Sequence, residues 1–154
     1  MRLTRRRLLW VTAVALVAVA CATAPKPKDA QQLYFAVEVA QAGKVIARPK
    51  LLGETGKRVQ AERRQPGATD PDYRLVLEPE PSGKGYRIKL DLALPQMKGH
   101  SELALLHGEE KKVELGTHPG DLQLSLLVMK VDSPEFRALM ELGEKQERPG
   151  PGSI

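Results

Sequence analysis

Three histidines and one cysteine are the side chains of this 154-residue sequence that are best suited to chemistry. His100, His107 and His118 are potential metal ligands or proton-transfer groups, and His107-Gly108-Glu109 forms an H-x-E triplet. In zinc enzymes with this triplet the histidine binds the metal, the glutamate transfers a proton, and paired downstream cysteines complete the site. The one cysteine, Cys21, lies upstream of the triplet. The sequence therefore predicts surface histidines in turns and no metal site.

The serines also lack a catalytic context. No serine occurs in a nucleophile elbow, and neither H-E-x-x-H nor a phosphate-binding glycine loop is present. Ser82 and Ser101 have no recognisable partner in the sequence, although a catalytic serine takes its partners from distant segments. We therefore expect no catalytic residue, no cofactor and no enzymatic activity.

The N-terminal twenty residues have the three parts of a bacterial export signal. Arg2, Arg5, Arg6 and Arg7 form a positive segment, residues 8–20 are a run of thirteen with only Thr12 polar, and small residues end the run. A membrane-spanning helix needs about 20 apolar residues, so this run is too short to be one. We expect residues 1–20 to be a signal peptide. The net charge of +5 comes mainly from its arginines and does not indicate nucleic-acid binding.

The cysteine stands where this signal ends, in the stretch Val17-Ala18-Val19-Ala20-Cys21. The stretch resembles the lipobox of bacterial lipoproteins, in which a small residue precedes the cysteine, although Ala18 occupies the position where leucine is commonest. The resemblance implies cleavage before Cys21, a diacylglyceryl group on its thiol and a membrane anchor through that lipid, with acylation of the free amine as a further chain. The alternative is an ordinary secretory signal in which Cys21 carries no lipid.

Two neighbouring features concern the route and destination of export. Residues 4–9 resemble a twin-arginine motif, which implies export after folding, and a generic basic segment explains the same residues equally well. Ala22 follows the cysteine, whereas aspartate there tends to retain lipoproteins of enteric-type bacteria in the inner membrane. This resemblance favours the outer membrane, with the domain facing the periplasm.

Proline, glycine and polar residues set the limits of the folded region. Residues 21–31 contain Pro25 and Pro27 and no large apolar side chain, so we expect the lipidated cysteine and a flexible tether there. Residues 143–154 are rich in glycine, proline and charge, and we expect a disordered tail. The intervening residues 32–142 suffice for one compact β-domain without disulfides.

Period-two patterns dominate residues 32–142. Leu33, Phe35, Val37 and Val39 alternate with more polar neighbours, and residues 73–94 give the clearest hairpin. A single helix is expected after the last strand, where the stretch Asp132-Ser133-Pro134-Glu135 offers an N-cap oxygen, a proline in the first turn and an acid three residues on, and Gly143 ends an apolar stripe. About eight short strands with one short C-terminal helix predict an all-β domain, either a β-sandwich or a small barrel-like fold.

Three segments together resemble the β-core of secretins, the outer-membrane channel family of secretion systems. They are residues 46–52 with 56–59, residues 73–79 with 86–90, and residues 108–116, which follow a glycine turn and end in glycine. The sequence departs from the family at Val59, where alanine is usual, at Gly116, which replaces a glycine pair, and in lacking glycine-rich gate segments. The resemblance implies a chain that keeps the sheet without forming a pore, and a chance match among generic β-hairpins is the alternative.

These features predict a membrane-anchored periplasmic lipoprotein that acts by binding, as a non-catalytic accessory component of an envelope complex. The resemblance to secretins implies that this complex is secretion-related. The expected contacts are the membrane, through lipid on Cys21, and an envelope protein, with no nucleic acid. Strand edges near Pro49 and along the hairpin of residues 73–94 are the expected docking positions. The alternative function is a small-molecule or lipid-binding β-barrel lipoprotein, which requires an apolar cavity of several hundred Å³.

Overall fold

A computed structural model describes residues 30–147 as nine strands followed by one helix. The elements are β1 Gln32–Gln41, β2 Lys44–Ala47, β3 Lys50–Glu54, β4 Val59–Arg63, β5 Tyr73–Ser82, β6 Gly85–Leu94, β7 Met97–Leu105, β8 Glu110–Glu114, β9 Leu122–Lys130 and α1 Pro134–Glu147. Residues 1–29, which include Cys21, and residues 148–154 lie outside the described residues, and so do the predictions made for them. Between residues 30 and 147, no helix has the length and apolar character needed to cross a membrane.

The strands form two antiparallel sheets, which confirms the predicted all-β class with a C-terminal helix. Sheet A has the order β2-β1-β9-β8, and β3 also pairs with β1. Sheet B has the order β4-β5-β6-β7. The structure has nine strands where about eight were expected, because the partner of β1 is divided at Pro49, whose missing N–H interrupts the ladder between β2 and β3.

Alternate residues of both sheets point inward and fill the space between them. On β1 these are the predicted Leu33, Phe35, Val37 and Val39, all at most 3% exposed. The neighbouring strand β9 adds Leu122, Leu124, Leu126 and Val128, and the facing strands β5 and β6 of sheet B contribute a similar apolar row, namely Leu75, Leu77, Ile88, Leu90 and Leu92. Period-two patterning therefore builds one core between the sheets.

The hairpin of residues 73–94 forms as β5 and β6, but it does not lie at a sheet edge as expected. β4 pairs with one side of β5, and β7 pairs with the other side of β6. Both strands of the hairpin are therefore central in sheet B, and a partner strand cannot add to them. Pro49 lies at an edge of sheet A, as predicted, in the break between β2 and β3.

The chain passes between the sheets at two corners, β3 to β4 and β7 to β8. At the first, Gly53 faces inward, and a Cβ there would meet the side chain of Val59 and lie 3.2 Å from Phe35 Cε2. Away from the second corner, near the start of β7, a Cβ on Gly99 would lie 2.6 Å from Leu115 Cβ. Each glycine allows an approach of the two sheets that any larger residue would obstruct.

The helix begins as predicted and ends later than predicted. Ser133 Oγ accepts a hydrogen bond from the Phe136 N–H at 3.1 Å, which caps the first turn. α1 then runs through Gly143 to Glu147, although the helix was expected to stop at Gly143 and a tail to begin there. Gly143 does not take the positive φ of a helix-ending glycine, and helical residues on both sides outweigh its poor propensity.

Candidate functional site

The three histidines lie on separate elements and do not form a common site. His100 is on β7, His107 is in the corner between β7 and β8, and His118 is in the loop before β9. Within residues 30–147, no group of three histidine, cysteine, aspartate or glutamate side chains is placed to hold a metal ion.

His107 stabilises the start of the helix. Its Nδ1 accepts a hydrogen bond from the Lys130 N–H at 3.0 Å, and its Nε2 lies 3.2 Å from Glu135 Oε2. Because Nδ1 is the acceptor, we assign the neutral tautomer with the proton on Nε2, which donates to the carboxylate. The pKa of Glu135 is lowered first by a backbone hydrogen bond at Glu135 itself and next by His107. This contact ties the β7–β8 corner to α1.

The glutamate of the H-x-E triplet has a separate local partner. Glu109 Oε2 accepts a hydrogen bond from the Leu106 N–H at 2.7 Å and so closes the turn on which His107 lies. His107 instead contacts Glu135, a residue far along the chain. The triplet is thus a turn motif, and sequence spacing alone could not reveal the distant carboxylate.

The other two histidines each contact one aspartate on the surface. His100 Nδ1 lies 2.7 Å from Asp91 Oδ1 across β6 and β7, and His118 Nδ1 lies 3.2 Å from Asp121 Oδ2. Ser101 follows His100 in sequence but points to the opposite side of sheet B, because successive strand residues alternate. No histidine–serine pair results from this adjacency.

Basic residues that cluster in sequence are paired with carboxylates on the surface. The pairs, with nitrogen–oxygen distances of 2.5 to 3.5 Å, are Arg58–Glu78, Arg63–Asp72, Arg64–Glu62, Arg87–Glu102 and Lys89–Glu80. Exposed pairs of this kind contribute little stability. They do compensate one another's charge, so these residues make a mixed-charge surface.

The described cavities are open grooves. One of about 370 Å³ lies on the outer face of sheet B and is lined by Arg74, Val76, Asp91, Ala93, Lys98 and His100. Another of about 230 Å³ lies on the outer face of sheet A beside Glu38, Arg48, Lys50 and Glu110. Neither opens into the core, where the inward-facing side chains of both sheets are packed together.

The segments that resemble secretins fall on β2 with β3, on the β5–β6 hairpin and on β8. No family model, curated protein or solved structure matches this chain. The function must therefore be argued from the surface of the domain itself.

The clearest binding element is the free edge of β7. β7 is the last strand of sheet B and has nine residues, whereas the edge strands β4 and β8 have five each. Leu94 and Met97 pair across a two-residue turn, and residues flanking such a turn exchange hydrogen bonds. The N–H and C=O groups of Met97, Gly99 and Ser101 thus face β6. Those of the alternate residues, among them Lys98 and His100, point away from the sheet.

The edge of sheet A formed by β2 and β3 is less open than this one. On sheet A, Pro49 lacks an N–H, and Arg63 Nη2 contacts the Ile46 carbonyl at 3.4 Å. At one end of β7, Lys111 Nζ donates to the Ala104 carbonyl. This contact confirms that the alternate carbonyls of β7 point outward, and it leaves the stretch from Lys98 to Glu102 as the accessible part of the edge.

Sequence reasoning missed most of β7, since it expected a short strand only at residues 102–106. Lys98, Gly99 and His100 have little β-propensity and gave no apolar alternation. Their pairing depends on the neighbouring β6, which is apolar at every inward position. The available signal was the two-residue turn Pro95-Gln96 directly after the long alternating segment.

Proposed function

We propose that this protein is an exported lipoprotein, anchored through Cys21, whose β-sandwich binds an envelope protein by strand addition to β7. The observation that carries the proposal is the open nine-residue edge with outward-pointing backbone groups between Lys98 and Glu102. Main-chain hydrogen bonds to an added strand supply affinity, and the side chains beside them supply specificity. This mode of binding requires no catalytic group.

The surface beside this edge fits a polar strand. Lys98, His100 and Glu102 stand on the outer face of β7 and are exposed. An added strand would meet both signs of charge there, and charge complementarity governs register and partner choice more than affinity. The membrane anchor is supported by the lipobox-like stretch that ends at Cys21. Both its short apolar run and its single cysteine fit a lipidated N-terminus.

A matched pair of variants tests strand addition. His100→Pro removes one outward N–H and also the Asp91 contact, while His100→Ala removes only the side-chain contact. We expect crosslinking in intact cells, read by mass spectrometry, to recover one defined envelope complex with the wild-type chain and with His100→Ala. His100→Pro should lose that complex while its Tm changes by less than about 4 °C, the shift that ~1 kcal/mol produces in a domain of this size.

Two outcomes would contradict this assignment. Retention of the complex by His100→Pro would show that the partner does not use this edge. Unfolding of His100→Pro would show that the His100 N–H is needed within the domain.

The lipid anchor is tested separately. Cys21→Ser should release the protein from membranes and abolish incorporation of labelled fatty acid. Continued acylation of that variant would refute the lipoprotein assignment.

The resemblance to secretins suggests that the partner belongs to a secretion-related complex, and the crosslinking experiment identifies it. The alternative of a ligand-binding barrel gains no support from the grooves of about 370 and 230 Å³ on the outer faces of the sheets. A further groove of about 370 Å³, lined by both sheets beside Ile46, Tyr73 and Leu94, lies at the end of the sandwich that carries the β6–β7 turn. A ligand held between the sheets would need to displace packed core side chains.

A further inference from the structure

The end of the sandwich where β1 begins carries exposed apolar side chains. Leu52 is 68% exposed on β3, opposite Tyr34 of β1, and Leu106 is 55% exposed in the corner between β7 and β8. The helix starts at this end, and Met140 and Leu142 further along it are 47% and 60% exposed. Among the described residues, the only other large apolar side chain of comparable exposure is Val45, at 37% near the opposite end.

The chain also enters the domain at this end. The Gln31 N–H donates to Thr55 Oγ1 at 3.0 Å, and the Tyr86 hydroxyl donates to Gln31 Oε1 at 2.7 Å. These bonds fix the residue before β1 to the β3–β4 corner and to β6. Ten residues separate Gln31 from Cys21, and ten residues span at most about 35 Å when fully extended.

That reach is comparable to the length of the sandwich. The ten-residue strands β1, β5 and β6 are each about 33 Å long. A lipid on Cys21 therefore lies within about 35 Å of the end that carries Leu52 and Leu106, whereas the β4–β5 and β6–β7 turns, a strand length away, could reach the bilayer only with the tether fully extended. Leu106 lies in the corner at this end, and Leu52 lies on the outer face of sheet A close to it.

We propose that this end, which we call the tethered end and define by Leu52, Leu106 and the start of α1, docks on the lipid surface in which Cys21 is anchored. The inference rests on the proposed function, because only lipid on Cys21 brings a bilayer to this end. Apolar side chains held beside a bilayer gain free energy by entering the boundary between headgroups and acyl chains. The acyl chains on Cys21 hold the protein in the membrane, and the leucines supply an additional contact that orients the domain on its surface.

This orientation has a consequence for the partner. The strands run from the tethered end to the opposite end, so docking sets β7 across the membrane plane and not along it. A partner strand on β7 would then extend from the bilayer surface towards the β6–β7 turn.

Site-directed spin labelling of the full acylated chain tests the docking. The single cysteine carries lipid in the mature protein, so one introduced cysteine is the only free thiol. Leu52→Cys and Leu106→Cys place the label at the tethered end, and Gln96→Cys in the β6–β7 turn is the control at the far end. All three positions are exposed, so the substitutions leave the core unchanged. The probe membrane is a vesicle of phosphatidylethanolamine and phosphatidylglycerol.

We expect the two leucine positions to collide several-fold more often with lipid-soluble oxygen, relative to a water-soluble nickel chelate, than the Gln96 position does. Equal ratios at all three positions in acylated protein would overturn the docking and leave the lipoprotein assignment in place. Absence of acyl chains on Cys21, measured by mass spectrometry of the same sample, would overturn the proposed function and the docking with it.

Discussion

The phenol ring of Tyr34 lies 5.2 Å from the phenyl ring of Phe136, with the two planes tilted by 53°. Tyr34 points to the outer face of sheet A, where alternation alone would leave it in water, yet it is only 7% exposed. The helix folds back over this end of the sheet and covers the tyrosine. The pair is therefore a principal link between α1 and the sandwich.

We expect Phe136→Ala to destabilise the protein by about 2 kcal/mol, since it removes a half-buried ring and its aromatic contact. Urea unfolding measures this change. Burial raises the pKa of the Tyr34 phenol, and the variant should lower that pKa towards its ordinary value of 10.0. Phenolate absorbance against pH reports it. Phe136→Leu, which keeps an apolar cover, is the control, and an unchanged tyrosine titration in Phe136→Ala would contradict the role of the helix.

The raised pKa of the Tyr34 phenol also determines how the stability of the protein changes at alkaline pH. Because the folded state disfavours the phenolate, the stability contributed by Tyr34 is fully present below the pKa of the unfolded chain. It is lost as pH rises through the folded pKa. Phe136→Ala should therefore show a weaker alkaline loss of stability than the wild-type chain.

The close approach of Gly53 and Val59 gives a double-mutant prediction. A Cβ at Gly53 would meet the Val59 side chain, so Gly53→Ala should cost about 1–3 kcal/mol. Val59→Ala removes the obstructing methyl, and the double variant should lose less stability than the sum of the single variants. Chemical denaturation of the four proteins measures the coupling. Additive losses would show that the corner relaxes without using this contact.

Much of the sandwich followed from alternation, because an inward apolar row such as Leu33 to Val39 has one stable placement. Central and edge strands could not be told apart in the same way. The β5–β6 hairpin was expected at an edge, yet β4 and β7 flank it. Neither β4 nor β7 has an apolar pattern strong enough to predict that it pairs with the hairpin. The order of strands in a sheet depends on which strands pair after the chain has passed from one sheet to the other. The alternation of apolar residues in the sequence does not determine that pairing.

The polar contacts were less predictable still. In the sequence, His107 forms a triplet with Glu109. In the folded protein it instead contacts Lys130 at the end of β9 and Glu135 at the start of α1. The free edge of β7 was equally difficult to predict from the sequence, because its outward backbone groups are free only since no strand follows β7 in sheet B. The contacts of His107 and the free edge of β7 both arise from tertiary structure, which the local spacing of residues in the sequence does not predict.

Lys111 controls how much of the β7 edge is open. Its side chain points inward from β8 and donates to the Ala104 carbonyl, a placement by which natural sheets limit edge pairing. We expect Lys111→Leu to expose this carbonyl and to increase self-association of the purified domain, measured by analytical ultracentrifugation. Lys112→Leu, on the outer face of the same strand, is the matched control. Equal self-association of both variants would attribute the effect to added apolar surface alone.

The Glu135 carboxylate predicts a loss of stability in acid. Its pKa is lowered in the folded protein by the backbone hydrogen bond and by His107, so its stabilising contribution is present above the pKa of the unfolded chain. That contribution is lost as pH falls through the folded pKa. Glu135→Gln should flatten the acid side of the stability profile, measured by urea unfolding from neutral to acid pH. An identical acid limb in the variant would contradict this assignment.

The placement of β1 also dictates an order of events during folding. Sheet B consists of four strands that follow one another in the chain, so each can pair with its predecessor as soon as both are available. β1, in contrast, pairs with β9, joining Leu33 to Lys130 across nearly the whole domain. Loop closure over that distance is slow, so sheet A completes last. In a chain that crosses a membrane from its N-terminus, the edge of β1 that pairs with β9 would stay unpaired until β9 has also crossed.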